Sequence, residues 1–340
     1  MFGLPGATIH MQRWTIHRPG IPADLTLETA EVPQPGPGEA RIRVLACGIN
    51  FADLLLVKGT YQSTPPFPFA PGAEICGIVE AVGAGSESAL VGERVVAYCG
   101  HGGLGRVVLA PLAACAPVPE GLDSIPAAAI PIAYGSSELA LARRARLKPG
   151  EWLMVGGAGG GVGLTAVEIG VRMGARVLAI ARGAAKGEAA RAMGAVHVLD
   201  PSEFDLSGYA LRDAVLERTG GARMDVILDP VGGELSDAMM RVTAFEARVL
   251  PLGFASGDVP AFKANHLLVK NIDVIGFWWG DYFPKCPGAV RESLERLLGW
   301  AASGAIRPLV SDIVPFERAP DALALLADRS ATGKVVVDMG

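Results

Sequence analysis

The amino-acid sequence predicts an α/β protein that joins a mainly β domain to a doubly wound parallel sheet of six strands. Three observations carry this. Between residues 152 and 278, six short apolar runs alternate with helical stretches. The first of these runs ends in a glycine cluster that opens a helix. Up to about Glu120, and again at the end of the chain, short strands are divided by Gly and Pro.

The glycine cluster is the most informative stretch. Trp152 to Val155 reads as a buried parallel strand, bounded by Gly156. Val162, Ala166, Ile169 and Met173 then recur at helical spacing, Gly174 stops the helix, and Arg176 to Ala181 is a second apolar run. This is one βαβ unit. Small residues in its turn let backbone N–H groups and a helix N-terminus approach a pyrophosphate. The literal G-x-G-x-x-G spacing is absent. Ala158-x-Gly160-x-x-Gly163 fits instead, overlaid on Gly157-x-x-Gly160, with Gly161 and Val162 between.

The end of the second strand selects the cofactor. A site for NAD carries Asp or Glu there, bonded to the ribose hydroxyls. This chain has Arg182 and then Lys186. A carboxylate would repel a 2′-phosphate, whereas a guanidinium binds one bidentately, so NADP(H) is expected.

The remaining elements follow in order. Glu39 to Ala46 alternates with period two, and Ile75 to Val82 and Val91 to Ala97 continue the β pattern. Helical stretches from Pro126 to Arg144 lead into the βαβ unit. Helices are then expected at 186–193, 211–219 and 234–242, and strands at 195–199, 224–229, 247–251 and 271–278. Helices at 289–303 and 319–327 precede a last strand at 334–338, which rejoins the β domain. The boundaries expected are 1–127 with 284–340, and 128–283.

Composition excludes several classes. The chain has 340 residues, of which 50% are hydrophobic and 19% charged, as in a compact enzyme rather than a disordered chain. The net charge of −5 gives no reason to expect nucleic acid. Five cysteines without a C-x-x-C pair read as buried free thiols in a reducing, cytoplasmic setting. Residues 1–10 read as a short extension, without the charged and apolar regions of a signal peptide. No apolar run is long enough to span a bilayer, so no membrane partner is expected.

Several motifs resemble the medium-chain dehydrogenase/reductase superfamily, in its zinc-free quinone oxidoreductase (zeta-crystallin-like) branch. They are Cys47-Gly-Ile-Asn50-Phe-Ala-Asp53, Gly59-Thr-Tyr61, Pro68-Phe-Ala-Pro-Gly72-Ala-Glu74, the glycine loop, Asp229-Pro-Val-Gly-Gly233, Gly253-Phe-Ala-Ser-Gly257, Leu267-Leu-Val-Lys-Asn271 and Ala331-Thr-Gly-Lys-Val-Val. Together they span nearly the whole chain in family order. The resemblance implies a GroES-like catalytic domain, a Rossmann domain inserted in it, and a homodimer paired through the strand around 271–278.

Alignment with zinc relatives puts Asn50 and Ala73 where a Cys and a His would bind the metal. Alanine has no lone pair and an amide is a poor zinc ligand, so no metal is expected. Without a Lewis acid the hydride acceptor must already be electrophilic. A quinone is the first reading. An enoyl or alkenal reductase is the alternative, and a non-catalytic or RNA-binding NADPH protein a second one.

Asn50 and Tyr61 carry over as catalytic candidates, hydrogen-bond donors to an acceptor oxygen that gains negative charge. Asn50 is also open to reading as a turn-capping amide, and Tyr61 as a proton donor or a wall. Further cofactor contacts implied are Asn50 and Ser136, then Val231 with Gly232, Gly253 with Phe254, and Arg329 with Lys334 in the tail. Asp200-Pro201 stands where many relatives place a Tyr near the 2′-phosphate. The aromatic cluster Trp278, Trp279, Tyr282 and Phe283 reads either as packing at an interface or core, or as a stacking surface for a planar acceptor.

Overall fold

The computed structural model describes residues 9–86 and 89–340, so most of the expected N-terminal extension lies outside the described residues. The chain forms two units, one holding the residues up to 132 together with 283–340, the other 133–282.

The first unit is built on strands β1 (His10–Thr15), β2 (Thr26–Glu31) and β3 (Glu39–Ile49), helix α1 (Phe51–Lys58), strands β4 (Glu74–Val82), β5 (Arg94–Tyr98), β6 (Val107–Pro111) and β7 (Cys115–Pro117), and helix α2 (Ser124–Ala128). β1 and β2 form a separate antiparallel pair that begins at His10. The long strand β3 is the spine of the larger sheet. Its first half pairs with β6 through 39–43, and its length from 40 to 48 pairs with β4. The period-two pattern explains this: Ala40, Ile42, Val44 and Ala46 are wholly or almost wholly buried.

The second unit begins within α3 (Pro131–Glu138), and Pro131 at its first turn separates it from α2. The helical stretches expected over 126–144 are two helices and a final widened turn, 139–144. Then follow β8 (Trp152–Val155), α4 (Gly161–Arg172), β9 (Arg176–Ile180), α5 (Ala184–Ala192), β10 (His197–Leu199), α6 (Ala210–Thr219), β11 (Met224–Asp229), α7 (Gly233–Met240), β12 (Thr243–Pro251), α8 (Ala264–Lys270) and β13 (Asp273–Val274). The six strands are parallel, in the order β10-β9-β8-β11-β12-β13. This is the doubly wound order with the first strand, β8, at the crossover point.

The sixth strand is much shorter than the expected 271–278. Asn271 leaves α8 at φ +53, and only Asp273 and Val274 pair with β12. The chain then turns so that Trp279, 5% exposed, packs against Gly135, where an added Cβ would meet the indole at 2.8 Å. The aromatic cluster therefore divides, because Phe283 belongs to the first unit and stacks on Tyr98 with ring centres 4.5 Å apart.

Back in the first unit come α9 (Tyr282–Lys285), α10 (Pro287–Ala302), β14 (Val310–Pro315), α11 (Ala319–Ala327) and β15 (Lys334–Asp338). β15 pairs antiparallel with residues 46–49 of β3, and β14 adds to it in parallel. The polar strand β14 was not expected from sequence. No helix among the described residues is long and apolar enough to cross a membrane.

Candidate active site

In the second unit, β8 delivers the chain into a turn where Gly157 takes φ +56, a conformation that favours glycine. Gly160 caps α4, and its carbonyl accepts the Leu164 N–H at 2.8 Å. The N–H groups of Gly161, Val162 and Gly163 therefore have no acceptor inside the helix, as at any helix start. Gly163 is needed for contact: a Cβ there would lie 2.1 Å from the Gly157 carbonyl oxygen. Together these form a cradle for an anion.

Ala158 packs beneath the turn. It is 0% exposed and its N–H donates to Ile180 O at 2.9 Å, so it shapes the loop. Lys186 lies against Gly159, whose added Cβ would meet the lysine Cβ at 2.4 Å. Arg182 is exposed just after β9.

Four other expected residues come together beside this loop. An added Cβ on Gly157 would meet Val231 Cγ2 at 2.8 Å, and one on Gly232 would meet Phe254 Cδ1 at 3.4 Å. Gly253 faces the Pro230 carbonyl at 3.2 Å by the same measure. The buried Asp229 carboxylate organises this corner, since its Oδ1 accepts the Val231 and Gly232 N–H groups at 2.9 and 3.0 Å. Ser136 is 7% exposed on α3. Its neighbour Ser137 fixes that helix to α4 through Thr165 Oγ1, 2.7 Å away.

In the first unit, Asn50 lies between β3 and α1 and is held by a buried charge network. Lys334 Nζ donates to Glu74 Oε1 at 2.7 Å, Asn50 Oδ1 at 2.7 Å and Ile49 O at 3.0 Å. Asn50 Nδ2 donates to Glu74 Oε1 at 2.7 Å, and Glu74 Oε2 accepts the Ile132 N–H at 2.7 Å. An ammonium only donates and a carboxylate only accepts, so this network sets which way the amide points. Glu74 is 0% and Lys334 3% exposed. A buried ion pair persists when hydrogen bonds satisfy both partners, as they do here.

Each of the three Lys334 donors has an acceptor inside the protein. The Asn50 amide nitrogen faces Glu74, with Gly48 O at 3.5 Å. Arg329, the other tail residue, is exposed after α11 with φ +56.

Asp53 completes the network. Its carboxylate accepts the Asn50 N–H at 2.8 Å and the Gly72 N–H at 3.1 Å. Burial pushes this carboxyl up to about 6, although those two N–H groups and Lys334 act in the opposite direction. Between the ordinary carboxylate value and about 6, the folded chain therefore holds a proton that the unfolded chain releases. Stability from this group falls as pH rises through that window. Asp53→Asn is expected to remove that slope, read as the difference between wild-type and variant urea unfolding at about pH 4 and about pH 6.5. An unchanged difference would show that Asp53 is ionised throughout.

Tyr61 is half-buried against the core of the first unit. Tyr98 lies opposite Glu74 in the β4–β5 ladder, which puts both side chains on one face. Burial pushes the Tyr98 phenol up, and the nearby Tyr61 phenol adds to the effect. Asp53 and Glu74 are motif positions in the sequence without a function of their own there, and Tyr98 belongs to no motif. The available signal was a charged residue set in an apolar run, as with Glu74 before Ile-Cys-Gly-Ile-Val, which implies a buried partner. The partner, 260 positions away, gave no local sign.

The donor set does not fit zinc. Ala73, 3% exposed, offers a methyl group, and the Asn50 amide is already engaged. Among the described residues no group of three His, Cys, Asp or Glu is arranged to hold a metal. All five cysteines are free thiols, and burial pushes Cys76 up to about 11 and Cys115 to about 12, too high for nucleophiles near neutral pH.

Residues 161–298 match the family of zinc-binding dehydrogenases, and residues 36–120 the alcohol dehydrogenase GroES-like domain. The chain is 34% identical over 306 residues to the quinone oxidoreductase-like protein 2 homolog of Nematostella vectensis, covering 89% of this chain and 82% of that one. It resembles the crystal structure of the Thermus thermophilus quinone oxidoreductase, studied with and without NADPH, at 33% identity and TM-score 0.83, over 97% of this chain and 100% of that one. The Escherichia coli quinone oxidoreductase complexed with NADPH matches at 27% identity and TM-score 0.88, over 96% and 100%. With the GroES-like and parallel-sheet units in place and no donor set for zinc, the chain belongs to the medium-chain dehydrogenase/reductase superfamily, in its zinc-free quinone oxidoreductase-like branch.

Proposed function

We propose that the protein is an NADPH-dependent oxidoreductase that reduces an electrophilic acceptor of quinone type. The observation that carries this is the Asn50 site: its amide is held between Lys334 and Glu74, and buried Ala73 offers only a methyl group. No Lewis acid is provided there, so the acceptor must bring its own electrophilicity. NADPH as the donor is supported by the glycine cradle, by Arg182, and by the NADPH-bound structures of the relatives.

The bound cofactor supplies a hydride. The chain's residues orient and stabilise. The α4 N-terminus and Gly157 hold the pyrophosphate, and Val231, Gly232, Gly253 and Phe254 wall the nicotinamide. Tyr61 donates the hydrogen bond to the acceptor oxygen that gains negative charge. Lys334, Glu74 and Asp53 hold the β3–α1 corner rigid. The active form is a homodimer joined at the edge of β13, next to which Leu268 and Val269 are 78% and 76% exposed.

The test is NADPH oxidation against a panel of quinones and conjugated enones, on a sample whose mass is read by light scattering. Quinone turnover at twice the 35.2 kDa chain mass is expected. Turnover of enones alone would replace the quinone reading with the reductase of a conjugated C=C bond, and a monomer would remove the β13 interface.

A further inference from the structure

The carboxyl ends of β9 and β10 stand side by side. Leu199 pairs with Ile180, and the Ala181 N–H donates to Leu199 O at 3.0 Å. Arg182 and Asp200, which follow closely on each strand, therefore occupy the same ledge. In a doubly wound sheet this ledge, at the end of the second strand, receives the adenosine ribose. One cation and one anion thus share the place where a 2′-phosphate would be recognised.

The anion is fixed there. Asp200 Oδ2 accepts the Gly183 N–H at 2.6 Å. Its Oδ1 accepts the Ser202 N–H at 2.9 Å and the Ser202 hydroxyl at 2.6 Å. Three donors on both oxygens leave the carboxylate no rotamer in which to swing away, and they favour its charged form. Gly183, which receives this latch, directly follows Arg182 and caps α5 with φ +83.

A dianionic phosphate brought to Arg182 meets this carboxylate as well. A 2′-hydroxyl carries no charge and does not. We propose that Asp200 is a specificity-determining residue that weakens binding of the 2′-phosphate and narrows the preference for NADPH over NADH. The inference rests on the reading of Arg182 as the phosphate contact. It adds that the second strand end attracts and the third repels.

The test measures dissociation constants of NADPH and NADH from nicotinamide fluorescence, without any acceptor, on wild type, Asp200→Asn and Arg182→Ala. Removing one unit charge several ångströms from a partly solvated phosphate corresponds to about threefold to tenfold in affinity. Asp200→Asn is expected to tighten NADPH by that factor, leave NADH within about twofold, and lose its gain at high salt. Equal changes for both cofactors would reduce Asp200 to a structural latch and overturn the proposal, as would unchanged NADPH binding. Arg182→Ala separates the two layers: NADPH affinity unaffected by it would overturn the phosphate contact itself. If Asp200→Asn does not fold, Asp200→Ser, which keeps a hydroxyl for Gly183 and Ser202, reads the same ratio.

Discussion

Gly163→Ala is expected to weaken NADPH binding by about a hundredfold, or roughly 2.7 kcal/mol. The added Cβ would sit 2.1 Å from the Gly157 carbonyl oxygen, 2.7 Å from its carbon and 2.9 Å from Ala158 Cα. All three atoms are backbone, so no side chain can rotate to make room. Either α4 withdraws from the turn or Gly157 leaves its φ of +56, and both open the cradle. Calorimetric titration reads the effect. Gly299→Ala is the control, because nothing lies within 4 Å of its Cβ position on the exposed side of α10. Wild-type affinity in Gly163→Ala would place the pyrophosphate elsewhere.

The second large effect concerns stability. Lys334→Met is expected to destabilise the protein by about 3–5 kcal/mol, because it leaves a wholly buried carboxylate without its cation. Glu74 would retain only the Asn50 amide and the Ile132 N–H, while Ile49 O and Asn50 Oδ1 would lose their donor. Adding Glu74→Gln should recover more than half of the loss, since an amide keeps hydrogen-bonding capacity without the charge. Urea unfolding of the two single variants and the double variant gives the coupling. A loss below about 1 kcal/mol in Lys334→Met would mean that water reaches Glu74.

What the sequence determined by itself was what local periodicity and glycine chemistry encode. Trp152–Val155, the glycine turn and α4 were legible because a buried parallel strand is continuously apolar and a phosphate cradle needs Gly at fixed offsets. The alternation of runs and helices after it gave the parallel sheet, and the alternation within β3 gave its buried face. Arg182 was legible as the residue at a strand end. Ala73 was legible too, because a missing lone pair is a property of the residue type.

Tertiary structure decided the partners of charge and the lengths of elements whose pairing is remote. The ammonium of Lys334 looked like a tail contact from its position in a C-terminal motif. Only the antiparallel pairing of β15 with β3 brings it to Glu74 and Asn50. Strand β13 has only two residues, and beyond it Trp279 packs at Gly135, a contact across more than a hundred residues. Asp200 looked like a missing aromatic. The register of β9 with β10 makes it a fixed carboxylate beside Arg182. In each case the side chain's chemistry was visible in the sequence, but its partner was set by strand order, which local spacing does not encode.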